Sequence, residues 1–518
     1  MSRITVSKAC DACRRRKVRC TWGQPCAACK QADLQCTFLS VRQKKGRKGD
    51  TANVISELRA FQPEPVRYTA PASPEPSHSL LYASPSFSLD VHTSPQGLDS
   101  QLTKTGFLRS AGLLPAKVIE LCTELFFSHM RSTVPILTQE FIIQAASSAA
   151  GGGGLGEEAY CLLCSFCAFV ILQTGGISTT HLAQAEIQYA PHPYGQLLLR
   201  EALSARSHLD ILATPTLRTV VLTFFIYGCH SALGKHRLAW FFLREATTLY
   251  TSATLDSSDQ MADEALNRLY WLLLISERSH AIRRRRPITL QITPQAPLLE
   301  QTVSNDPTLT GFRYLAELFR PIDDDFIALW NRASSTASKE ILVRLSENIH
   351  SIVPSSVDLG ETQLANIRVS QQWLRVIVWQ LCTMLGFLSS ESTDASLTFR
   401  YPLKIAQDLA ISTWKLPLHS MQMHGIGLTE KVFDIAFTLV DVIAYIPSGE
   451  AKASGFEIGP EDNLRHFLSL ISQLPGGSRK YLPLLMTKVE QTLPEMTAPL
   501  ARHLRFPLEE NSNGAITT

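Results

Sequence analysis

Between about residue 106 and residue 505, apolar side chains recur every three or four positions. In PAKVIELCTELFFSHM, Val118, Leu121, Cys122, Leu125 and Phe126 fall on one face of a 3.6-residue period. LAWFFLREATTLY (238–250), LNRLYWLLLISERSHAI (266–282) and LRVIVWQLCTMLGFL (374–388) repeat the pattern. Strand-like alternation is scarce, and the four glycines at 151–154 read as a loop. The pattern predicts an all-α array of roughly 14 to 18 helices. The longest apolar run, Ala159 to Leu172, has 14 residues including Ser165. A membrane-spanning helix needs roughly 18 or more, so a buried helix is expected and no membrane partner.

The periodicity stops on either side of this body. Residues 62–105 are rich in Pro and Ser and have no repeat, which predicts a disordered linker. Residues 506–518 read as a flexible tail. Ahead of the linker, Val54, Ile55, Leu58 and Phe61 amount to about one heptad, where three or four are needed for a coiled coil. Dimerisation, where it occurs, has to come from elsewhere.

Charge divides the chain in the same place. The net charge over 518 residues is only +3, yet residues 1–60 hold 14 Lys and Arg against 4 Asp and Glu, while the rest holds 35 against 42. A basic head on a mildly acidic body points to a polyanionic partner for the head alone. The N-terminus has no apolar leader, so an intracellular protein with reduced cysteines is expected.

That head contains KACDACRRRKVRCTWGQPCAACKQADLQC, in which Cys10, Cys13, Cys20, Cys26, Cys29 and Cys36 are spaced C-x2-C-x6-C-x5-C-x2-C-x6-C. One C-x2-C-x6-C unit is used twice. A C-x2-C pair at the start of a short helix directs two sulfurs at one point, as tetrahedral zinc requires. Two separate four-cysteine sites would need eight thiols. Six suffice for two Zn2+ when two thiolates bridge. Such a cluster carries a charge of −2, which Arg14, Arg15, Arg16, Lys17 and Arg19 more than offset. About 30 residues cannot build an adequate apolar core, so the metal has to supply much of the folding free energy. A redox or disulfide cluster fits neither the two-fold repeat nor the expected reducing compartment.

On these residues the chain resembles the fungal Zn2Cys6 binuclear-cluster transcription factors. The resemblance implies that Cys10 and Cys26 bridge the two zinc ions. It also implies that Lys17, with Arg16 beside it, reads a CGG triplet from a helix end in the major groove, while Arg14, Arg15 and Arg19 hold phosphates. Pro25, just before the fourth cysteine, fits the family; Thr21-Trp22-Gly23 departs from its usual Asp-Gly and is expected to alter the loop and leave the metals intact. The arm SVRQKKGRKGD supplies Arg42, Lys44, Lys45, Arg47 and Lys48 for phosphate contacts, nuclear import or both. Further on, AWFFLREATTLY (239–250) and RLYWLLLISERSHAIRRRRPITL (268–290) resemble the regulatory region found downstream of such clusters. GFRYLAELFRPIDDDFIALWN (311–331) is similar to the subgroup that holds activators of maltose, sucrose and amylase genes together with secondary-metabolite regulators.

The expected architecture is therefore mostly α: a small two-zinc, six-cysteine DNA-binding module at 1–40, a basic arm at 41–61, a disordered linker at 62–105, a large all-α regulatory domain at 106–505 and a tail at 506–518. The expected function is that of a nuclear transcription factor. Its partners would be double-stranded DNA, transcriptional coregulators and a second copy of the chain in a homodimer. Chain length and the missing zipper lean toward an activator of a secondary-metabolite gene cluster, with sugar or starch utilisation genes as the alternative. A zinc-dependent protein–protein adaptor is the alternative of another class. Nothing in the body reads as an enzyme. Cys161, Cys164 and Cys167 read as small core residues, and Asp323 to Asp325 lack the further aspartate of a DDxxD pair. His129, His230 and His280 read as structural. The run Arg283 to Arg286 reads as a solvated helix end or a source of inter-helix salt bridges rather than a second import signal.

Overall fold

The structure is a computed structural model. It describes residues 10, 13, 20–21, 25–32 and 36, and residues 107–505 apart from 152–153, 175, 212–214, 253–259, 300–308, 335 and 446–458. The chain divides into two compact units, Met1–Ser100 and Gln101–Thr518. The basic arm, the Pro/Ser-rich linker and the tail lie outside the described residues, as do Arg14, Arg15, Arg16, Lys17 and Arg19.

In the first unit the described backbone includes one short helix, α1 (Ala27–Gln31). Cys26 is its N-cap in extended conformation, and the Cys29 and Lys30 N–H groups donate to the Cys26 carbonyl.

The second unit is built of helices, and no strand occurs among its described residues. Its first half centres on α2 (Gly154–Thr174), whose residues from Gly156 to Ile171 are almost all buried. The 14-residue apolar run thus sits inside a 21-residue helix. By length and composition α2 is the one described helix that could cross a membrane, and it is mostly buried within the body. It is apolar on every side because neighbours cover every side: α3 (Pro191–Arg206), α4 (Leu217–Ala232) and the helix Gln139–Ala150 pack around it. Gly228 lets α4 come close, since a Cβ there would run into the Phe169 ring of α2. α5 (His236–Ser252) lies against α4.

The second half follows α6 (Gln260–Arg284). Two fully buried charges of α6 hold the chain that leaves it. The Glu277 carboxylate accepts from the Thr289 and Leu290 N–H groups at 3.0 and 2.9 Å, and Arg278 donates to the Ile322 and Leu290 carbonyls at 2.5 and 3.3 Å. α7 (Glu361–Met384) and α8 (Gly425–Tyr445) pack on each other, and α8 reaches back to α2 and α4. Apolar residues of both halves form one continuous core.

The arginine run ends α6 as a source of salt bridges. Arg283 and Arg284 both pair with Glu430 of α8, the second at 3.1 Å. Arg285 lies over the Trp330 ring, 4.1 Å from its centre, and donates to the Trp330 carbonyl.

Candidate metal centre

All six head cysteines are buried or nearly so, and their sulfurs converge. The Cys10 Sγ lies 3.7 Å from that of Cys26 and 3.5 Å from that of Cys29; the Cys13 Sγ lies 3.5 Å from Cys26 and 3.9 Å from Cys29. Two quartets, Cys10–Cys13–Cys20–Cys26 and Cys10–Cys26–Cys29–Cys36, each keep their four sulfurs within 4.8 Å of one another. Both quartets contain Cys10 and Cys26. Four sulfurs at ~2.3 Å from one tetrahedral zinc are about 3.8 Å apart, close to the 3.5 to 3.7 Å of the Cys10–Cys26, Cys10–Cys29 and Cys13–Cys26 pairs. No disulfide forms among the twelve cysteines.

The backbone places these sulfurs. Cys26 caps α1 and Cys29 lies one turn on, which brings the second C-x2-C pair together. The Cys26 N–H donates to the Cys36 sulfur at 3.4 Å, drawing the last cysteine in. Thr21 closes the loop: its hydroxyl accepts from the Ala27 N–H at 3.0 Å. A free amide at the start of α1 is thereby satisfied by the first residue of the segment that departs from the family pattern. Thr21 was not legible as a capping residue, because the hydrogen bond spans six positions of an irregular loop.

Among the described residues the buried apolar set of this unit is the six cysteines, with Ala28 packed against them. The thiols on their own are frustrated. Burial, then the thiols of Cys10 and Cys26, pushes Cys13 up to about 12, and burial raises Cys29 as well. Burial would raise Cys26 too, but the Cys29 N–H and neighbouring thiols overcome it and bring it down to about 6. Clustered sulfurs cannot all ionise without a cation between them. Two dications remove that obstacle, and an all-sulfur, four-coordinate site leaves no open position for catalysis.

The body's chemistry-bearing residues have other employment. Cys161, Cys164 and Cys167 are buried in α2, where burial lifts the first to about 12 and the others well above an ordinary thiol. Asp323 caps the helix Asp324–Trp330, accepting from the Phe326 N–H at 2.9 Å. His230 stacks on Phe242 at 5.3 Å and His280 on Trp240 at 5.2 Å.

Comparison with known proteins gives the head an independent identification. Residues 8–46 match the fungal Zn(2)-Cys(6) binuclear cluster domain. A protein of Candida albicans named for probable sucrose utilization is 25% identical over 330 residues, 61% of this chain and 62% of that one. A maltose fermentation regulatory protein of Saccharomyces cerevisiae is 22% identical over 446 residues, 85% of this chain and 84% of that one. A respiratory transcription factor of the same yeast is 22% identical over 358 residues, 67% and 74% of the two chains. No solved structure matches. The resemblance drawn from the cysteine spacing holds: the head is a two-zinc cluster domain of the fungal transcription regulators, and the chain it belongs to is similar to regulatory proteins, not to enzymes.

Proposed function

We propose that the protein is a nuclear activator that binds promoter DNA sequence-specifically and controls sugar-utilisation genes. The observation that carries the DNA-binding part is the pair of sulfur quartets sharing Cys10 and Cys26. In this reading Cys10, Cys13, Cys20 and Cys26 hold one zinc, and Cys10, Cys26, Cys29 and Cys36 hold the other. The ions are structural: they fix a small module that has no apolar core of its own. Lys17 and Arg16 then donate to guanine O6 and N7 of a CGG-like triplet. Arg14, Arg15, Arg19, Lys44, Lys45, Arg47 and Lys48 hold phosphates and set the register. The helical body binds coregulators. The sugar assignment rests on the named relatives, which concern sucrose, maltose and respiration, and they favour it over the secondary-metabolite cluster expected from chain length.

The Lys17→Ala variant tests the reading. It should keep two zinc ions per chain by elemental analysis and lose ~1–3 kcal/mol of discrimination for CGG sites in a binding-site selection. Unchanged preference would remove Lys17 from base reading. A salt titration separates the adaptor alternative, because several phosphate contacts make affinity fall steeply between ~50 and ~200 mM salt, whereas an adaptor would show no such DNA affinity.

A further inference from the structure

The C-terminal turns of α7 and α8 line a cavity of about 760 Å3. That volume falls within the roughly 300–1,000 Å3 of sites for drug-sized molecules. Trp330, Trp379, Phe399 and Tyr445 bring four aromatic rings to it, with Met384 and Val442 between them. Both indole N–H groups are already used, donating to the Ile282 carbonyl at 2.7 Å and the Thr398 carbonyl at 2.9 Å. The tryptophans therefore offer the cavity ring surface alone. Phe399 and Tyr445 are exposed. Flat apolar groups pack well against walls of this kind.

One cation on this surface lacks a counter-ion. Arg285 follows directly on α6 and lines the cavity. Its guanidinium lies over the Trp330 ring and donates to the Trp330 carbonyl and, at 3.5 Å, to the Met384 thioether. A guanidinium has five N–H donors, and a thioether is a weak acceptor. No carboxylate forms an ion pair with Arg285 among the described residues; Asp441, which lines the same cavity, is held by Lys488 at 2.5 Å. Burial and the like charge of Arg332 both lower Arg285 from its ordinary value. Its backbone is left-handed, with φ of 52°, a conformation that costs a non-glycine residue free energy. An uncompensated guanidinium with spare donors, set among aromatic rings, is complementary to an anionic group carried on a flat apolar body.

We propose that this cavity binds a carboxylate of up to drug size with a flat, ring-bearing apolar body, the carboxylate on Arg285 and the rings against Trp379, Phe399 and Tyr445. The helical body is thereby a receptor for such an acid. The site belongs to the body alone and stands whether or not the head reads CGG triplets.

Isothermal titration of the full-length chain tests this with three probes. Biphenyl-4-acetate carries rings and charge, 2-(biphenyl-4-yl)ethanol the rings without the charge, and decanoate the charge without the rings. The ring-bearing acid should bind one per chain, and the other two should bind about tenfold more weakly or worse. Arg285→Asn suits the left-handed backbone, since asparagine is enriched there. This variant should bring the acid down to the affinity of the alcohol and leave the alcohol unchanged. Absence of one-to-one binding, an alcohol or decanoate bound as tightly as the ring-bearing acid, or an unchanged affinity for that acid in Arg285→Asn would each overturn the proposal. Should Arg285→Asn fail to fold, Phe399→Ala decides, because truncating an exposed ring spares the core. It should weaken the acid and the alcohol alike, and unaltered binding of both would place the ligand elsewhere and sink the idea.

Discussion

Glu430 is the residue on which the second half of the body turns. Two guanidinium groups and a phenol converge on one carboxylate, with the Tyr481 hydroxyl donating at 2.5 Å. Burial alone would raise this acid, but Arg283, the Tyr481 hydroxyl and Arg284 hold it down to about 2. Removing its charge leaves two buried or half-buried cations without a carboxylate partner, so Glu430→Gln should cost about 3–5 kcal/mol. Thermal unfolding followed by far-UV circular dichroism should show a clear fall in Tm; a Tm equal to wild type would mean the cluster is not a structural tie. Buried histidines of the body fix a pH dependence. Burial depresses His230, His236 and His424 to about 4 and His280 to about 3. Their unfolded values lie near 6.5, so between about 4 and 6.5 the unfolded chain binds more protons than the folded one. Stability from these residues is complete above about pH 6.5 and is lost as pH falls toward 4. Glu430 adds to the loss below its unfolded value of 4.5. Denaturant midpoints should therefore drop steadily from pH 7 to 4.5; a flat profile would contradict the buried neutral histidines.

At the scale of elements, α2 and α4 show how composition becomes packing. α2 offers no polar face, so it is stable only when enclosed. Its aromatic side chains meet those of α4, with the Phe169 and Phe225 ring centres 5.0 Å apart. The close approach depends on Gly228. Gly228→Ala drives a methyl group into the Phe169 ring, and overpacking of this kind costs typically ~1–3 kcal/mol. The companion Phe169→Leu should recover part of the loss when combined with it. Non-additive Tm shifts in the double variant would locate the contact, and simple additivity would argue against it. Thr216 caps α4, accepting from the Thr219 N–H at 3.2 Å. The four-arginine stretch was readable as a salt-bridge source, but its partner Glu430 lies about 146 positions away in an apolar helix, where nothing local marks it.

For the whole molecule, the two units draw on different sources of stability. The head relies on metal, since its buried apolar set among the described residues is six cysteines. The body relies on a continuous hydrocarbon core. A chelator should abolish DNA binding by the full chain while leaving most of the helical circular-dichroism signal, and added zinc should restore binding. Loss of the helical signal in step with zinc would show that the body depends on the metal as well.

The amino-acid sequence determined by itself the things that depend on local order. The six-cysteine repeat counts its own metals, the 3.6-residue period makes the body helical, and the basic head declares a polyanionic partner, because each is a pattern of near neighbours. Only the tertiary structure decided which sulfurs belong to both quartets as distances, that Thr21 closes the loop before α1, and that Glu430 and Lys431 are adjacent charges with opposite fates. The carboxylate meets two arginines; the ammonium donates to the Ser370 hydroxyl and lies over the Phe319 and Trp373 rings. Such pairings join positions far apart in the chain, and burial, which sets their charge states, exists only once the helices have packed.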